Sequence, residues 1–530
     1  MASTISLVVT VVFLTTFTCA NPVSQETSNS DHYHQTNFHR LPPKFHHSVD
    51  QNDGAYWRQK AQNTLNQKLS SHDLIGKAKN VIMFLGDGLS IPTLAAARTY
   101  LGQSQGHTGE ETVLSFEEFP HTGLSKTYCV DSQVADSACS ATAYLGGVKA
   151  NIYTIGVTGN VKLNDCSASL NATNKVTSIL KWSQDAGKST GVVTTTRITH
   201  ASPAGSYAQV ANRDWENDAV VKSSGQDPDK CDDIAEQLIN SVPGRNIKVI
   251  LGGGRKEFIP KNVTDEDGKS GARTDGVNLI TKWKSDKSSR GSSSKYVWNR
   301  EQLLNINPRK TEFVLGLFNS DHLEYHLLAN ATKEPTLEEL TRVAIQVLSQ
   351  EPKGFFLFVE GGRIDHGHHD TQAHLALDET VEFAKAIQAA VDLTDERNTL
   401  IVVTADHAHT LSISGYPTRG NDIFGIAGTS DSDRLPYSTL SYANGPGYKK
   451  PLANGSRYNI SNDNLADVKY RFPATLPLGS ETHAGDDVAV FARGPWSHLY
   501  SGTFDQNFIP HVMAYASCVG NGRTSCKPHV

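Results

Sequence analysis

Phe355-Phe-Leu-Phe-Val359 runs without a break into Glu360-Gly-Gly-Arg-Ile-Asp-His-Gly-His-His369. Apolar residues in an unbroken run, with no polar alternate, describe a strand covered on both faces, as in a parallel sheet between helices. Glycine, acid and imidazole follow it. The same succession occurs where Val81-Ile-Met-Phe-Leu85 enters Gly86-Asp87-Gly88, and where Leu400-Ile-Val-Val403 enters Thr404-Ala405-Asp406-His407. Gly191-Val-Val193 and Val249-Ile-Leu251 are shorter runs of the same kind, and residues 336–350 and 371–393 carry helical periodicity. Strands alternating with helices predict an α/β fold, a three-layer α/β/α sandwich around a large, mostly parallel sheet. Residues 415–480, rich in Gly, Ser, Asn, Pro and Tyr and without periodicity, read as a small irregular surface insertion.

Composition narrows the function class. The 530 residues include 49 Lys plus Arg against 55 Asp plus Glu, a net charge of −6, and 38% are hydrophobic. That excludes a disordered chain and a multi-pass membrane protein, and gives no electrostatic case for nucleic-acid binding.

Residues 1–20 read as a secretory signal, with an apolar stretch from Leu7 to Leu14 and small residues at Thr18-Cys19-Ala20. Residues 21–55 read as a flexible leader. Its His32, His34, His39, His46 and His47 are irregularly spaced and are expected to be solvated rather than metal-bound. From Tyr56 the sequence has globular character. Of seven cysteines, Cys19 leaves with the signal; Cys129, Cys139, Cys166, Cys231, Cys518 and Cys526 remain. Cys518 and Cys526 flank Gly520-Asn521-Gly522 and are expected to close a small terminal loop. Glycosylation sequons stand at Asn171, Asn262, Asn330, Asn454 and Asn459. No hydrophobic tail follows Cys526, so a secreted protein without a membrane anchor is expected.

Ligands in open parallel sheets sit beyond the carboxyl ends of strands. Acids delivered there by three strands would repel one another unless cations held them. Asp365 and His369 lie one helical turn apart and can share one metal; Asp406-His407 and His483 are further candidates. Mixed carboxylate and imidazole suit zinc, whereas oxygen ligands suit magnesium or calcium. Ser137, in Asp136-Ser-Ala-Cys-Ser140, stands at a predicted helix N-terminus, where an anion binds well. No Gly-x-Ser-x-Gly elbow surrounds it, so a metal is the expected activator.

Val81–Gly88, Asp136–Thr142, His200-Ala-Ser-Pro-Ala-Gly205, Val359–His369, Thr404–His407 and Glu481-Thr-His-Ala-Gly485 together resemble the animal alkaline phosphatases, in family order and over nearly all of residues 78–518. Residues 56–530 are therefore expected to form one alkaline phosphatase catalytic domain. The resemblance implies a phosphate-monoester hydrolase of broad substrate range using two zinc ions and one magnesium. It implies Ser137 as the phosphorylated serine and Arg213 as the phosphate clamp, oriented by Asp136. Asp365, His369 and His483 would hold one zinc; Asp87, Ser137, Asp406 and His407 the other; Asp87, Ser202 and Glu360 the magnesium. His200 and His366 would stand beside magnesium and phosphate, and Tyr416 at a homodimer interface. Cys166–Cys231 and Cys518–Cys526 would be the family disulfides. A possible calcium site would use Phe318, Glu334 and an acid within Asp265–Asp267, but Asn319 stands where the family pattern has an acid. Cys139 stands where the family has a small residue, leaving Cys129 and Cys139 either free or bridged.

Rival readings are weaker. A sulfatase needs Cys/Ser-x-Pro-x-Arg, which no cysteine begins, and Ser137 is followed by Ala-Cys-Ser. A phosphodiesterase of the same superfamily keeps the fold and changes the reaction. A secreted metal-binding glycoprotein without catalysis should lack a ligand or the nucleophile, and none is missing. Gly187-Lys188-Ser189 lacks the upstream glycine of a nucleotide-binding loop.

Overall fold

The computed structural model describes residues 42–46, 48–70 and 72–526. The signal segment, His32, His34, His39 and His47 of the leader, and the residues after Cys526 lie outside the described residues.

Eight strands are labelled here: β1 Asn80–Gly86, β2 His121–Lys126, β3 Ser189–Arg197, β4 Val249–Gly253, β5 Ser294–Val297, β6 Phe313–Leu317, β7 Phe355–Gly361 and β8 Thr399–Ala405. With Val488–Arg493 and Gly502–Asp505 they form one ten-stranded sheet, in the order Gly502–Asp505, β2, Val488–Arg493, β8, β1, β7, β3, β4, β6, β5. Val488–Arg493 runs antiparallel to both its neighbours; the other pairings are parallel. All five apolar runs are strands of this sheet. Short or mixed strands such as β2 and β5 carry no such run, and sequence reading passes over them.

Burial on both faces follows from the pleat. Val81, Met83 and Leu85 join one buried cluster, whereas Ile82 and Phe84 join the other. The first cluster is closed by helices Ser137–Gly146, Ile234–Asn240 and Ile509–Ser517, the second by Leu337–Leu348 and Ala373–Leu393. The three layers are thus helix, sheet and helix.

Helix Gly54–Leu69 departs from expectation, because none of its residues is buried. The compact body begins at Ala78, not Tyr56. In the insertion, small sheets pair Leu411–Ile413, Leu440–Gly445 and Ala474–Pro477, and Ile426–Thr429 with Pro436–Ser438. The five sequon asparagines are all exposed. Three disulfides join Cys129–Cys139, Cys166–Cys231 and Cys518–Cys526. The open question at Cys129 and Cys139 is settled by their Cα atoms, 5.8 Å apart, within bridging reach.

Phe358 is fully buried and stacks on Tyr144 of the Ser137–Gly146 helix, ring centroids 6.4 Å apart. Phe358→Ala should remove about 3–5 kcal/mol of stability through lost burial and a residual cavity. Denaturant unfolding followed by tryptophan fluorescence checks this; an unchanged midpoint would mean that the layer contact adds nothing.

Candidate active site

Of four adjacent strands, β8, β1 and β7 end in register, and β3 runs on beside them to Arg197. Gly86 of β1 pairs with Gly361 of β7 and with Ala405 of β8, and Glu360 pairs with Thr194 of β3. The residues that follow therefore emerge at one level: Asp87 after β1, Asp406 and His407 after β8, His200 and Ser202 after β3. Glu360 closes β7, and helix Arg363–His369 carries Asp365 and His369. Gly88 makes the crowding possible. Its φ is +68°, and a Cβ there would lie 2.4 Å from His409 Cδ2. Its N–H donates to Asp406 Oδ1 at 3.0 Å.

Ser137 opens a helix that is buried throughout its length. Asp136 caps that helix, its Oδ1 accepting from the Cys139 N–H at 3.2 Å and the Tyr153 N–H at 3.1 Å. The Cys129–Cys139 bridge fixes the same first turn. Ser137 Oγ lies 3.3 Å from His407 Nε2 and 3.5 Å from Asp87 Oδ2. Arg213 Nη1 donates to Asp136 Oδ2 at 2.9 Å, and Nη2 donates to His200 Nε2 at 3.1 Å. Helix N-terminus and guanidinium thus face one spot, a site for a tetrahedral anion. A cleft of 570 Å³ opens onto it, lined by Ser137, Arg213, His366, His369 and His483, with Tyr153 at its wall. A larger cavity of 710 Å³ lies elsewhere, against Trp182, Trp496 and Tyr515, and includes none of the expected site residues.

The donor set fits divalent cations. His369 Nδ1 donates to the Glu481 carbonyl at 2.5 Å, and His483 Nδ1 donates to the Ala135 carbonyl at 2.8 Å. Both imidazoles then direct an Nε2 lone pair inward, and these nitrogens stand 3.2 Å apart. Asp365 contributes oxygens 3.3 Å from His369 Nε2 and 3.4 Å from His483 Nε2. Two lone pairs at that distance repel unless a cation lies between. Around Ser137, Asp87 Oδ1, Asp406 Oδ2 and His407 Nδ1 are buried without a hydrogen-bond partner; so are Glu360 Oε1, Ser202 Oγ and His200 Nδ1 on the β3 side. Two further groups of residues here could hold an ion, Asp87-Asp406-His407, where His407 Nε2 lies 3.5 Å from Asp87 Oδ1 and 3.1 Å from Asp406 Oδ2, and Asp87-His200-Glu360.

The electrostatics agree. Burial, reinforced by Asp406, Asp365 and Glu360, pushes the Asp87 carboxyl well above the usual carboxylate range. Burial also raises Glu360 to about 7, although Thr194 and Thr196 donate to it. Burial and the adjacent Arg213 hold His200 neutral. Burial brings His366 down to about 3, with Arg363 adding to the effect.

The expected calcium residues do not fit a further cation. The Asn319 amide donates to Glu334 Oε1 at 2.7 Å and the Glu324 N–H donates to Oε2 at 2.8 Å, so both oxygens already have protein partners. The buried Arg255 guanidinium fills the acidic loop, 3.4, 2.9 and 2.6 Å from Asp265, Glu266 and Asp267. Side chains thus already partner the acids of this region.

Sequence reading missed His409. It sits between carboxylates, Nδ1 against Glu481 Oε2 and Nε2 2.5 Å from Asp365 Oδ1. The two-residue pairing of His483–Ala484 with Ala408–His409 sets His483 beside it. The available signal was alternation, since His409 follows His407 on an extended segment. His368 is structural, bonded to Thr93 and Tyr442 at 2.9 Å each.

An α/β sandwich with acids, imidazoles and one serine gathered at its strand ends is the frame of a metal-dependent hydrolase. The alkaline phosphatase family profile matches residues 78–519. The membrane-bound alkaline phosphatase of Bombyx mori is 52% identical over 484 residues, covering 90% of this chain and 88% of that protein. The tissue-nonspecific isozyme of alkaline phosphatase from Homo sapiens is 48% identical over 483 residues, covering 90% and 91%. The solved alkaline phosphatase of the Antarctic bacterium TAB5 superposes with a TM-score of 0.57 at 21% identity, over 84% of this chain and all of that one, and shares the fold. The chain belongs to the alkaline phosphatase family and is a phosphomonoester hydrolase.

Burial opposes charge on His409, but Glu481 and Asp365 outweigh it and push the imidazole up to about 10. A raised folded-state value means its contribution is full below about pH 6.5 and is lost as pH rises through about 10. In chelator-treated protein, His409→Gln should therefore destabilise strongly at pH 6 and little above pH 10. Unfolding midpoints of both proteins across that range test this, and a pH-independent gap would refute it.

Proposed function

We propose that this chain cleaves phosphate monoesters through a phosphoserine at Ser137, with two zinc ions and one magnesium at the strand ends. Asp365, His369 and His483 would hold one zinc, Asp87, Ser137, Asp406 and His407 the second, and Asp87, Ser202 and Glu360 the magnesium. The observation carrying the reading is the meeting of Ser137 Oγ, the helix N-terminus and the Asp136-oriented Arg213 beside the inward-facing lone pairs. When bound, the cations supply the positive charge that lowers the hydroxyl pKa and steadies the departing oxygen.

Arg213 holds two non-bridging oxygens of the substrate and turns its phosphorus toward Ser137. Ser137 Oγ gives up its proton to solvent and forms the new O–P bond as the bond to the ester alcohol breaks. The alcohol leaves after taking a proton. Water then attacks the phosphoserine from the vacated side, the Oγ–P bond breaks, and phosphate and the Ser137 hydroxyl are restored. Contacts concentrate on the phosphoryl group, and the cleft wall at Tyr153 is open, so the alcohol portion is weakly selected and the substrate range is broad.

The same reading places Tyr416 at a homodimer interface and makes the chain a secreted glycoprotein with sugars on some of the five exposed sequon asparagines. Among the described residues, no helix is long and apolar enough to cross a membrane.

Ser137→Ala should reduce turnover of p-nitrophenyl phosphate by at least about a thousandfold and abolish acid-stable labelling by radioactive phosphate, with metal content retained. Arg213→Ala should instead weaken inorganic-phosphate inhibition by about ten- to a hundredfold. Near-normal turnover in Ser137→Ala would remove Ser137 as nucleophile.

A further inference from the structure

Behind the cleft lies a third histidine that neither the family motifs nor the reading above uses. His322 follows β6, and its ring centroid is 4.4 Å from that of His366 at an interplanar angle of 65°. It is 5.4 Å from His200 at 81°, and His200 and His366 are 5.6 Å apart at 78°. Three rings thus meet edge to face, an arrangement their quadrupoles favour. His366 and His200 line the cleft; His322 does not.

The ring is unusually well braced. Its Nδ1 accepts the Arg197 backbone N–H at 3.1 Å, and Arg197 Nη1 lies 2.6 Å from its Nε2. The Arg197 N–H occupies the Nδ1 lone pair, so the single ring proton lies on Nε2, and burial with the neighbouring Arg197 guanidinium opposes a second proton and keeps the imidazole neutral. Arg197 is itself fixed by Glu216, at 2.6 Å, and by Asp321, at 2.7 Å. The backbone on either side is tied down as well. The N–H groups of Gly254, Arg255 and Lys256 donate to the carbonyls of Asp321, Asn319 and Ser320, and the Leu323 N–H donates to the Thr195 carbonyl. A side chain so supported makes a rigid wall.

We propose that His322 is a positioning residue for phosphate binding, holding the His200 and His366 rings at the angle that keeps His200 against Arg213. The path is short: His322 touches both rings, and His200 Nε2 accepts from Arg213 Nη2 at 3.1 Å. Without the wall, His200 and His366 can turn into the vacated space, and the guanidinium loses one of its two side-chain braces. Misplacement of a binding group by a fraction of an ångström is costly in such sites. The proposal rests on the reading of Arg213 as the phosphate clamp.

The test compares wild type, His322→Ala, His322→Phe and His322→Asn. Phe keeps a ring of similar width; Asn keeps an acceptor for the Arg197 N–H but no ring. His322→Ala should raise KM for p-nitrophenyl phosphate and the inhibition constant of inorganic phosphate together, by about tenfold, with kcat changed less than about threefold. Zinc and magnesium contents measured by plasma mass spectrometry should stay at wild-type values. His322→Phe should return phosphate affinity to within about twofold of wild type, while His322→Asn stays impaired. Unchanged phosphate affinity in His322→Ala, or loss of metal alongside affinity, overturns the proposal. Should His322→Ala fail to fold, the other pair decides: rescue by Asn and not by Phe would assign the effect to the Arg197 hydrogen bond and overturn it. Arg213→Ala separates the two layers of inference. If it weakens phosphate binding and His322→Ala does not, only the role of His322 fails; if it does not, the clamp itself fails.

Discussion

Two imidazole nitrogens with inward lone pairs, 3.2 Å apart, and buried carboxylates around one serine are arranged as no folded chain would choose for its own stability. Like groups crowded out of water raise one another's energy, and unpaired buried polar atoms add to the cost. Asp87 expresses the conflict most clearly, since burial and three neighbouring acids all oppose its charge. Divalent cations resolve this conflict, and the same positive charge is what a phosphate ester and an attacking hydroxyl require. Ligand repulsion and catalytic capacity are two views of one electrostatic arrangement.

Such crowding persists only if the frame cannot relax. The four contributing strands lie at the middle of a ten-stranded sheet covered by helices on both faces, and the ends of β1, β7 and β8 are locked in register through Gly86, Gly361 and Ala405. Gly88 removes the Cβ that would strike His409, and Asp136 serves both as helix cap and as partner to Arg213. The Cys129–Cys139 bridge ties the first turn of the serine-bearing helix to the segment after β2. Charge is balanced outward from the centre in the same way. His409 bridges Asp365 and Glu481, and Arg197 bridges Glu216 and Asp321.

In the loop after β6, Asn319 bonds directly to Glu334, and Arg255 fills the acidic loop opposite. Side chains thus do locally what a bound cation would do. The same loop carries His322 beneath the cleft histidines, so a segment that could have been only structural reaches to within one ring of the residues lining the cleft.

Unbroken apolar runs were enough to identify β1, β3, β4, β7 and β8, because burial on both faces leaves no room for polar alternation. The acids and imidazoles immediately after those strands were equally visible, because a strand end fixes where the next residues emerge. Short edge strands such as β5, with mixed burial, left no such mark. Helix Gly54–Leu69 looked globular by composition, yet contributes nothing to the core, since apolar content does not say which surface will cover it. Residues whose partners are distant in the chain were decided by tertiary structure alone. Glu481 and Asp365 meet across His409, and the pairing of Arg213 with Asp136 and the ring contact between His322 and His366 each join separate segments. Local sequence governs burial and the direction in which a strand delivers its last residues; three-dimensional packing alone determines which of those residues come close enough to repel, neutralise or brace one another.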